Sequence, residues 1–473
     1  MRHVALLPLA VLLLAPVAPA FPLPSPGSLP PRDQTDGDQT DAARKIIESS
    51  SLQVSCLTAI GVGSCSISVE GKPWTVLVPS VIPGEVVKVR VTRSFEDERR
   101  SEADLISVVS ASPSRVVPKC KIGDCGGCQF QHIDAQWQRR WKKDRVLTLF
   151  ATVSPSLSDA DIRLITKDTL GTEDVYGYRS KLSPHYRKPK EGEGELGPIG
   201  FLSRRGRGGE ARQLIDVPQC AIASPAINEK LKLVRTELRE NFNSETTVVP
   251  YNANLLFRGC KEGVAVDRNA YVTESLPSTV VGELTFRFKA GNFFQNNAHM
   301  LPVMVDYVLS KASFPNRAGE KMTHLVDAYC GSGLFAISSS RLFDKCVGIE
   351  VNGAAIAEAR ENARINGAEH CCEFIAASSE VIFEGIQSYP RDTTTVVMDP
   401  PRKGSSEEFL TQLINFRPER VVYMSCGPDT QARDASFILR NGNYKLIEIQ
   451  PLDLFPQTRH IENCAVFEYA GKR

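Results

Sequence analysis

Three patterns of apolar and polar residues follow one another along the chain. The first is an unbroken apolar run from Val4 to Leu14. The second begins at about Ser51, where short stretches alternate between apolar and polar positions and break at Gly61-Val62-Gly63, Glu70-Gly71-Lys72 and Pro83-Gly84. Such period-two alternation between turn signals predicts a small β-barrel of about 60 residues. The third sets in near residue 275, where short apolar strands alternate with helical segments. A helix is predicted from about Ala298 to Lys311, and strands end at Asp327, Glu350, Met398 and Tyr423. Alternating strands and helices make an α/β fold with a doubly wound sheet, whose chemistry collects at the carboxyl ends of its strands.

Composition places these patterns in a soluble globular protein. Its 473 residues, 42% apolar with 56 basic and 55 acidic side chains, suffice for two or three packed domains. The apolar opening is preceded by Arg2 and His3 and followed by Ala18-Pro19-Ala20 and Phe21, which reads as a cleavable signal peptide too short to span a bilayer stably. Residues 22–44, rich in Pro, Ser, Thr and Asp, are predicted to be disordered, so residues 1–45 form a targeting segment. An odd count of 13 cysteines, three of them in one close cluster, argues against the disulfides of an extracellular protein. The Ala-x-Ala site before Phe21 resembles the two-part presequences of algae with secondary plastids, and the resemblance implies plastid delivery. Asp33, Asp36, Asp38 and Asp41 depart from an acid-poor transit peptide, which keeps the cytoplasm, a mitochondrion and a mis-started reading frame open.

Several groups carry candidate chemistry. Cys120, Cys125 and Cys128 lie close together among glycines, and Cys220, between a strand-like run and a helix start at Ser224-Pro225, is the best fourth ligand. Four thiolates suit Zn²⁺ or a [4Fe–4S] cluster, and the spacing does not choose between them. His132 reads as a solvated or hydrogen-bonded histidine rather than a substitute ligand. Arg139, Arg140, Lys142, Lys143 and Arg145, interleaved with Trp137 and Trp141, have helical spacing and read in part as a wet helix face. Arg179, Lys181, His185, Arg187, Lys188, Arg204, Arg205 and Arg207 lie in loop-like sequence suited to RNA phosphates. Farther on, Cys330-Gly331-Ser332-Gly333 lets a ligand approach the backbone, and Glu350 is spaced for ribose hydroxyls. With no third glycine and no phosphate-binding lysine, a methionine-derived nucleoside fits better than a dinucleotide or ATP. Pro400 and Pro401 hold the Asp399 carboxylate at the sheet's edge. Cys426, where Val421-Val422-Tyr423 breaks at Gly427-Pro428, is a candidate nucleophile, although a Ser-Cys-Gly in isolation reads more often as a buried thiol.

The barrel sequence from Ala59 to Val91 resembles a TRAM domain, an OB-like RNA-binding module. Added to the four cysteines are Phe294-Gln295, Asp327-x-x-Cys330-Gly331-x-Gly333, Asp399-Pro400-Pro401-Arg402, Ser425-Cys426-Gly427-Pro428 and Phe455-Pro456-x-Thr458-x-His460-x-Glu462. On these motifs the chain from about 52 to 470 resembles the RNA 5-methyluridine methyltransferase family, whose members act on tRNA or large-subunit rRNA. The resemblance implies a TRAM barrel at 46–112, a central α+β iron–sulfur domain at 113–274 and a Rossmann-like class I methyltransferase domain at 275–473. It implies that Gln295, Tyr329, Gly331, Gly333, Glu350 and Asp399 bind S-adenosylmethionine. By the same resemblance Cys120, Cys125, Cys128 and Cys220 hold a [4Fe–4S] cluster, Cys426 is the nucleophile and Glu462 the base. RNA is then the expected partner, no membrane is involved and the chain acts as a monomer. Phe293 or Phe294 is a candidate to stack on a flipped uridine, with a core role equally open. The family's asparagine after the glycine turn is Leu334 here, and the polar residue after the following strand reads as Ser378. Four residues separate Cys120 from Cys125, fewer than the family usually has. Two other classes stand beside this reading: an RNA-binding protein of the same fold without turnover, and an iron–sulfur redox or radical enzyme, against which a fourth cysteine ligand speaks.

Overall fold

The computed structural model describes residues 37–187, 196–204, 211–242, 252–378 and 383–471. The signal-like segment 1–20 and Lys188, Arg205 and Arg207 of the second basic patch lie outside the described residues. The expectation of disorder up to residue 44 is corrected: Gly37–Ser49 form helix α1, which buries Ala43 and Ile47 in the barrel core. Composition hid this helix because the two apolar residues it buries need the barrel as a partner. Glu48 also accepts from Val91 N at 2.9 Å.

Strands β1 (Leu52–Leu57), β2 (Gly63–Val69), β3 (Lys72–Val78), β4 (Val86–Phe95) and β5 (Arg100–Ser110) close a barrel in the order β1-β2-β3-β5-β4. Alternation produces its two faces: Val87, Val89 and Val91 of β4 point inward while Lys88 and Arg90 face solvent. Ile82, Phe130 and Ile133 form the seam between barrel and remainder, with Trp137 and Trp141 against it.

Next come α2 (Ala135–Phe150), capped by Asp134, and α3 (Asp159–Ile165), whose Ser158 and Asp161 form a capping box. Strands β6 (Lys181–Leu182), β7 (His185–Arg187), β8 (Ile199–Leu202) and β9 (Leu214–Asp216), helix α4 (Pro225–Phe242), and strands β10 (Asn252–Asn254), β11 (Phe257–Cys260) and β12 (Gly263–Ala265) form two small sheets beside α4. Helices α2 and α3 do not share that core. Val146, Phe150 and Ile162 are buried with Val421, Tyr423 and Phe467 of the large sheet, so the two helices cover its outer face.

A hairpin of β13 (Tyr271–Ser278) and β14 (Gly282–Lys289) precedes α5 (Met300–Ser313). Then follow β15 (His324–Ala328), α6 (Leu334–Ser339), β16 (Lys345–Glu350), α7 (Gly353–Ile365), β17 (Cys372–Ala376), β18 (Thr394–Met398) and α8 (Glu407–Phe416). Finally β19 (Arg420–Ser425), α9 (Pro428–Asn441), β20 (Tyr444–Leu452) and β21 (Glu462–Tyr469) complete the chain. The sheet order is β17-β16-β15-β18-β19-β21-β20, with β21 antiparallel to both its neighbours. Every residue of β18 and β19 is buried, as a sheet covered on both faces requires. The order reverses between β15 and β18, which opens a crevice at their carboxyl ends. This is the class I Rossmann-like architecture with a closed five-stranded barrel attached. Among the described residues no helix is long and apolar enough to cross a membrane.

Candidate active site

Cys426 leaves the end of β19 just before Pro428 starts α9, and Ser425 Oγ, 3.1 Å from Gly427 N, closes the turn between them. The ladder to β21 pairs Met424 with Cys464 and Ser425 with Asn463, which brings the next residue of each strand, Cys426 and Glu462, side by side. Asp399 follows β18 next to them. Burial first, then the Glu462 and Asp399 carboxyls, push the Cys426 thiol up to about 11 against the opposing charge and hydrogen bond of Arg402. Burial drives Glu462 well above the usual carboxylate range, with Asp399 adding to it and Arg402 and Lys142 opposing. Burial also raises Asp399 to about 7. Burial therefore favours the protonated forms of the Cys426 thiol and of the Glu462 carboxyl.

The other expected residues gather around the crevice. Tyr329 takes a left-handed backbone (φ 67°), sparsely populated for a tyrosine, and its hydroxyl lies 3.3 Å from Ser405 Oγ. Gly331 (φ 54°) and Gly333 (φ 91°) continue the turn, and a side chain at Gly333 would strike Ile337. Glu350 accepts from Gly331 N at 3.3 Å and from Asn352 N at 2.9 Å, tying the end of β16 to that turn. Gln295 is buried in the loop before α5, where Asn297 Nδ2 donates to Leu454 O at 2.9 Å. Phe293 and Phe294 separate clearly: Phe294 stacks on Phe288 in the core, whereas Phe293 is 75% exposed. Leu334 is buried and Ser378 half-buried.

Four residues escaped the site prediction. Arg402 was read only as part of a motif, yet it is the cation beside Cys426 and Glu462. Asp327, at the end of β15, accepts from Ala336 N at 2.9 Å while its other oxygen is buried without a hydrogen bond, and burial lifts it to about 8. The other two, Lys142 and Gln138 of α2, hold the segment before Glu462. Lys142 is fully buried and donates to Asp453 Oδ1 at 2.5 Å and to Phe455 O at 3.1 Å. Gln138 and Gln457 exchange two hydrogen bonds, Tyr178 donates to Pro456 O at 2.9 Å, and Phe130 N donates to Gln457 O at 3.0 Å. His460, on the same segment, is brought down to about 4 by burial and by Arg402, and is neutral.

Phe130 follows the loop of the clustered cysteines, so that loop abuts the Glu462 segment. Arg204 donates to Cys125 O at 3.2 Å and to Cys128 O at 2.7 Å; Cys120 N donates to Gln131 Oε1 at 3.0 Å; Cys220 N donates to Asn228 Oδ1 at 2.8 Å. Burial first, then the charges of Cys220, Cys125 and Cys120 against a hydrogen bond with Gln131, lift the Cys128 thiol to about 12. Among the described residues, however, no group of three or more His, Cys, Asp and Glu side chains adopts a metal-holding arrangement. His132 is buried with Nε2 3.3 Å from Val81 O and stays on the barrel seam.

The basic patches are largely spent on the protein itself. In α2, Arg139 and Lys142 turn to Asp453, Lys143 to Asp168 and Arg145 to Asp429, so the expected wet face is mostly an ion-paired one. In the second patch Arg204 is consumed by the cysteine loop, and Lys181 donates to Gly291 O and Asn292 O at 3.0 and 3.1 Å. Arg187 remains exposed.

Comparison with known proteins agrees with this geometry. A family model described as tRNA (Uracil-5-)-methyltransferase matches residues 222–469. The tRNA (uracil(54)-C(5))-methyltransferase of Schizosaccharomyces pombe is 36% identical over 405 residues, covering 82% of this chain and 73% of the relative. Its Saccharomyces cerevisiae counterpart is 31% identical over 449 residues, covering 84% and 69%. A 23S rRNA (uracil(1939)-C(5))-methyltransferase of Shewanella sediminis is 26% identical over 460 residues, covering 90% and 98%. The crystal structure of Pyrococcus abyssi tRNA (uracil-54, C5)-methyltransferase in complex with S-adenosyl-L-homocysteine superposes with a TM-score of 0.62 at 20% identity, over 88% of this chain and 100% of that one, which shows a common fold. With the family model spanning the catalytic half and two relatives above 30% identity over most of both lengths, the chain belongs to the tRNA (uracil-5-)-methyltransferase family.

Proposed function

We propose that the protein methylates C5 of a uridine in RNA, using S-adenosylmethionine, Cys426 as nucleophile and Glu462 as base. The observation that carries this reading is the β19–β21 register, which sets a thiol beside a buried carboxyl with Asp399 and Arg402 around them. When bound, S-adenosylmethionine supplies an electrophilic methyl group. Gln295, Tyr329, Gly331, Gly333, Glu350 and Asp399 line the crevice that would hold it; the unpartnered oxygen of Asp327 and the raised carboxyl of Asp399 are suited to a cationic ligand.

C5 of uracil is too electron-poor to react alone, so Cys426, as thiolate, adds to C6 and makes C5 nucleophilic. Arg402 favours that thiolate. After C5 is substituted it carries one proton too many. Glu462 in its carboxylate form removes it, and Cys426 then leaves C6 as the double bond returns. Because a stacked uridine hides C5 and C6, the base must be flipped into the pocket, where the exposed ring of Phe293 is placed to stack on it or on its neighbours.

The barrel at residues 46–112 is read as a TRAM module for RNA, the central segment 113–274 as the iron–sulfur part and 275–473 as the methyltransferase part. Cys120, Cys125, Cys128 and Cys220 would hold a [4Fe–4S] cluster. What supports this is the kind of donor, four thiols with Arg204 and Gln131 bracing the loop of the first three and Asn228 holding Cys220; their arrangement among the described residues is not that of a metal site. Its contribution there would be to fix the loop on which the Glu462 segment rests.

The more similar relatives make tRNA, at uridine 54, the first substrate to test, and the rRNA enzyme makes 23S rRNA the second. The test incubates protein purified without oxygen with labelled S-adenosylmethionine and separate tRNA and rRNA pools, then digests to nucleosides. Label in 5-methyluridine from one pool supports the reaction and names the substrate class. Label in neither pool, with fold and RNA binding intact, leaves an RNA-binding protein without turnover.

A further inference from the structure

One loop carries two side chains that the proposed reaction brings together, the exposed ring of Phe293 and the buried amide of Gln295. It runs from Gly291 to Asn297, between β14 and α5, and is neither helix nor strand. Two cations of the small sheets hold it. Lys181 of β6 and Arg258 of β11 are register partners on adjacent strands, so their side chains stand together on one face. Lys181 donates to Gly291 O and Asn292 O at 3.0 and 3.1 Å.

Arg258 is fully buried, and its guanidinium reaches both ends of the loop: Nη2 donates to Asn292 O at 3.0 Å and Nη1 to Asn296 Oδ1 at 3.2 Å. Only Phe293, Phe294 and Gln295 lie between the two clamped residues. Phe294 stacks on Phe288 with ring centroids 4.4 Å apart, and the Arg258 guanidinium lies 5.4 Å from the Phe288 ring. Each end has a second hold. Asn292 Nδ2 donates to Glu358 Oε1 of α7 at 2.8 Å, and Ser180 N donates to Asn296 O at 2.9 Å. With Asn292, Phe294 and Asn296 all fixed, the backbone gives the residues between them, Phe293 and Gln295, a single setting.

Stability alone does not call for this arrangement. A buried cation is costly to desolvate, and a well-packed apolar side chain often serves a core as well or better. Burial brings Arg258 down only to about 10, with Glu274 and Cys260 opposing and Arg179 assisting, so it is charged at neutral pH. What a planar guanidinium offers, and an apolar group or an ammonium does not, is several donors in fixed directions. We propose that Arg258 is a positioning residue for the methyl transfer: its guanidinium holds Asn292 and Asn296 at a fixed separation and so sets the Phe293 ring relative to Gln295. The roles of Phe293 and Gln295 are those of the proposed reaction, on which the assignment rests.

The test places 4-fluorophenylalanine at position 293 alone and records its fluorine resonance in the full-length chain, with Arg258 in place and with Arg258→Gln. A single resonance away from its position in the denatured chain is expected with Arg258, and a shift toward that position, or splitting, without it. A second arm measures kcat/KM for methyl transfer to folded tRNA. Arg258→Gln is expected to lower it by about 10²-fold, and Arg258→Lys to recover only part of that loss. The loss should be smaller in a Phe293→Ala background, because a displaced ring costs nothing once the ring is gone. Where Arg258→Gln does not fold, Asn296→Ala releases one end of the same clamp and carries the same expectations. A lowered melting temperature with an unmoved resonance would make Arg258 purely structural and overturn the proposal, as would an equal loss with and without the Phe293 ring. The fluorine signal needs neither RNA nor S-adenosylmethionine. It therefore decides the clamp even where the wild type methylates neither RNA pool, a failure that belongs to the proposed function alone.

Discussion

A thiol held near 11 by burial and two carboxyls is a poor nucleophile at neutral pH, and this fixes what single substitutions do. Cys426 ionises more readily when Arg402 is present, so Arg402→Gln moves its titration further alkaline. The wild-type pH profile of kcat/KM is expected to rise across the alkaline range, with the variant's profile displaced to higher pH and lower at every pH below the plateau. Overlapping profiles would remove Arg402 from the site. Glu462→Gln replaces a protonated carboxyl by a neutral amide of the same shape, so it leaves the first step in place, and it abolishes the second step because an amide cannot take up the C5 proton. A denaturation-resistant protein–RNA adduct should accumulate while turnover falls by about 10²–10⁴, and Cys426→Ala should form no adduct. A gel under denaturing conditions reads both. Cys426 and Asp399 stood out in the sequence because each follows an apolar strand, whereas Glu462 was named as a base through the family resemblance. Arg402 lies on an exposed turn whose direction no local pattern reveals.

The segment from Asp453 to Ile461 is neither helix nor strand, yet it carries the chain into Glu462. Its rigidity comes from α2, 311 residues away in sequence, through the fully buried Lys142–Asp453 pair. Lys142→Met leaves the buried Asp453 with only Arg139, 3.6 Å away, and should cost at most about 3–5 kcal/mol of stability. The double variant Lys142→Met with Asp453→Leu should recover most of that loss, because a well-packed apolar pair replaces a buried ion pair at little cost. Denaturant unfolding of the three proteins checks the cycle, and equal losses in single and double variants would deny the coupling. Helix α2 itself was legible from the helical spacing of its basic residues. That its basic residues face acids of the protein was not, because those partners, apart from Asp168, belong to distant elements. Helix α1 was missed for the same reason, since Ala43 and Ile47 become a buried face only against the barrel.

With most of the described basic residues of the two patches paired within the protein, other cations on the surface also become candidates for RNA. The outer face of the barrel offers Lys88 and Arg90, and Phe95 lies between Arg93 and Arg100, whose guanidinium groups sit 4.5 and 4.2 Å from its ring. Lys88→Ala with Arg90→Ala should weaken RNA binding at every sequence tested and lower the salt slope of log K by about one for each phosphate that the variant no longer neutralises. The kcat at saturating RNA should be unchanged; an unaltered slope would assign RNA binding to another face. By itself the sequence determined the alternation that closes a barrel, the strand–helix succession that makes a doubly wound sheet, and the motifs at its carboxyl edge. These are local, because period and turn chemistry act within a few residues. Tertiary structure alone decided which cations are free, which phenylalanine of the pair is exposed, that α2 and α3 cover the large sheet, and that Cys426 meets Glu462. Each of these depends on packing between residues far apart in the chain, and no local pattern encodes who the partner is.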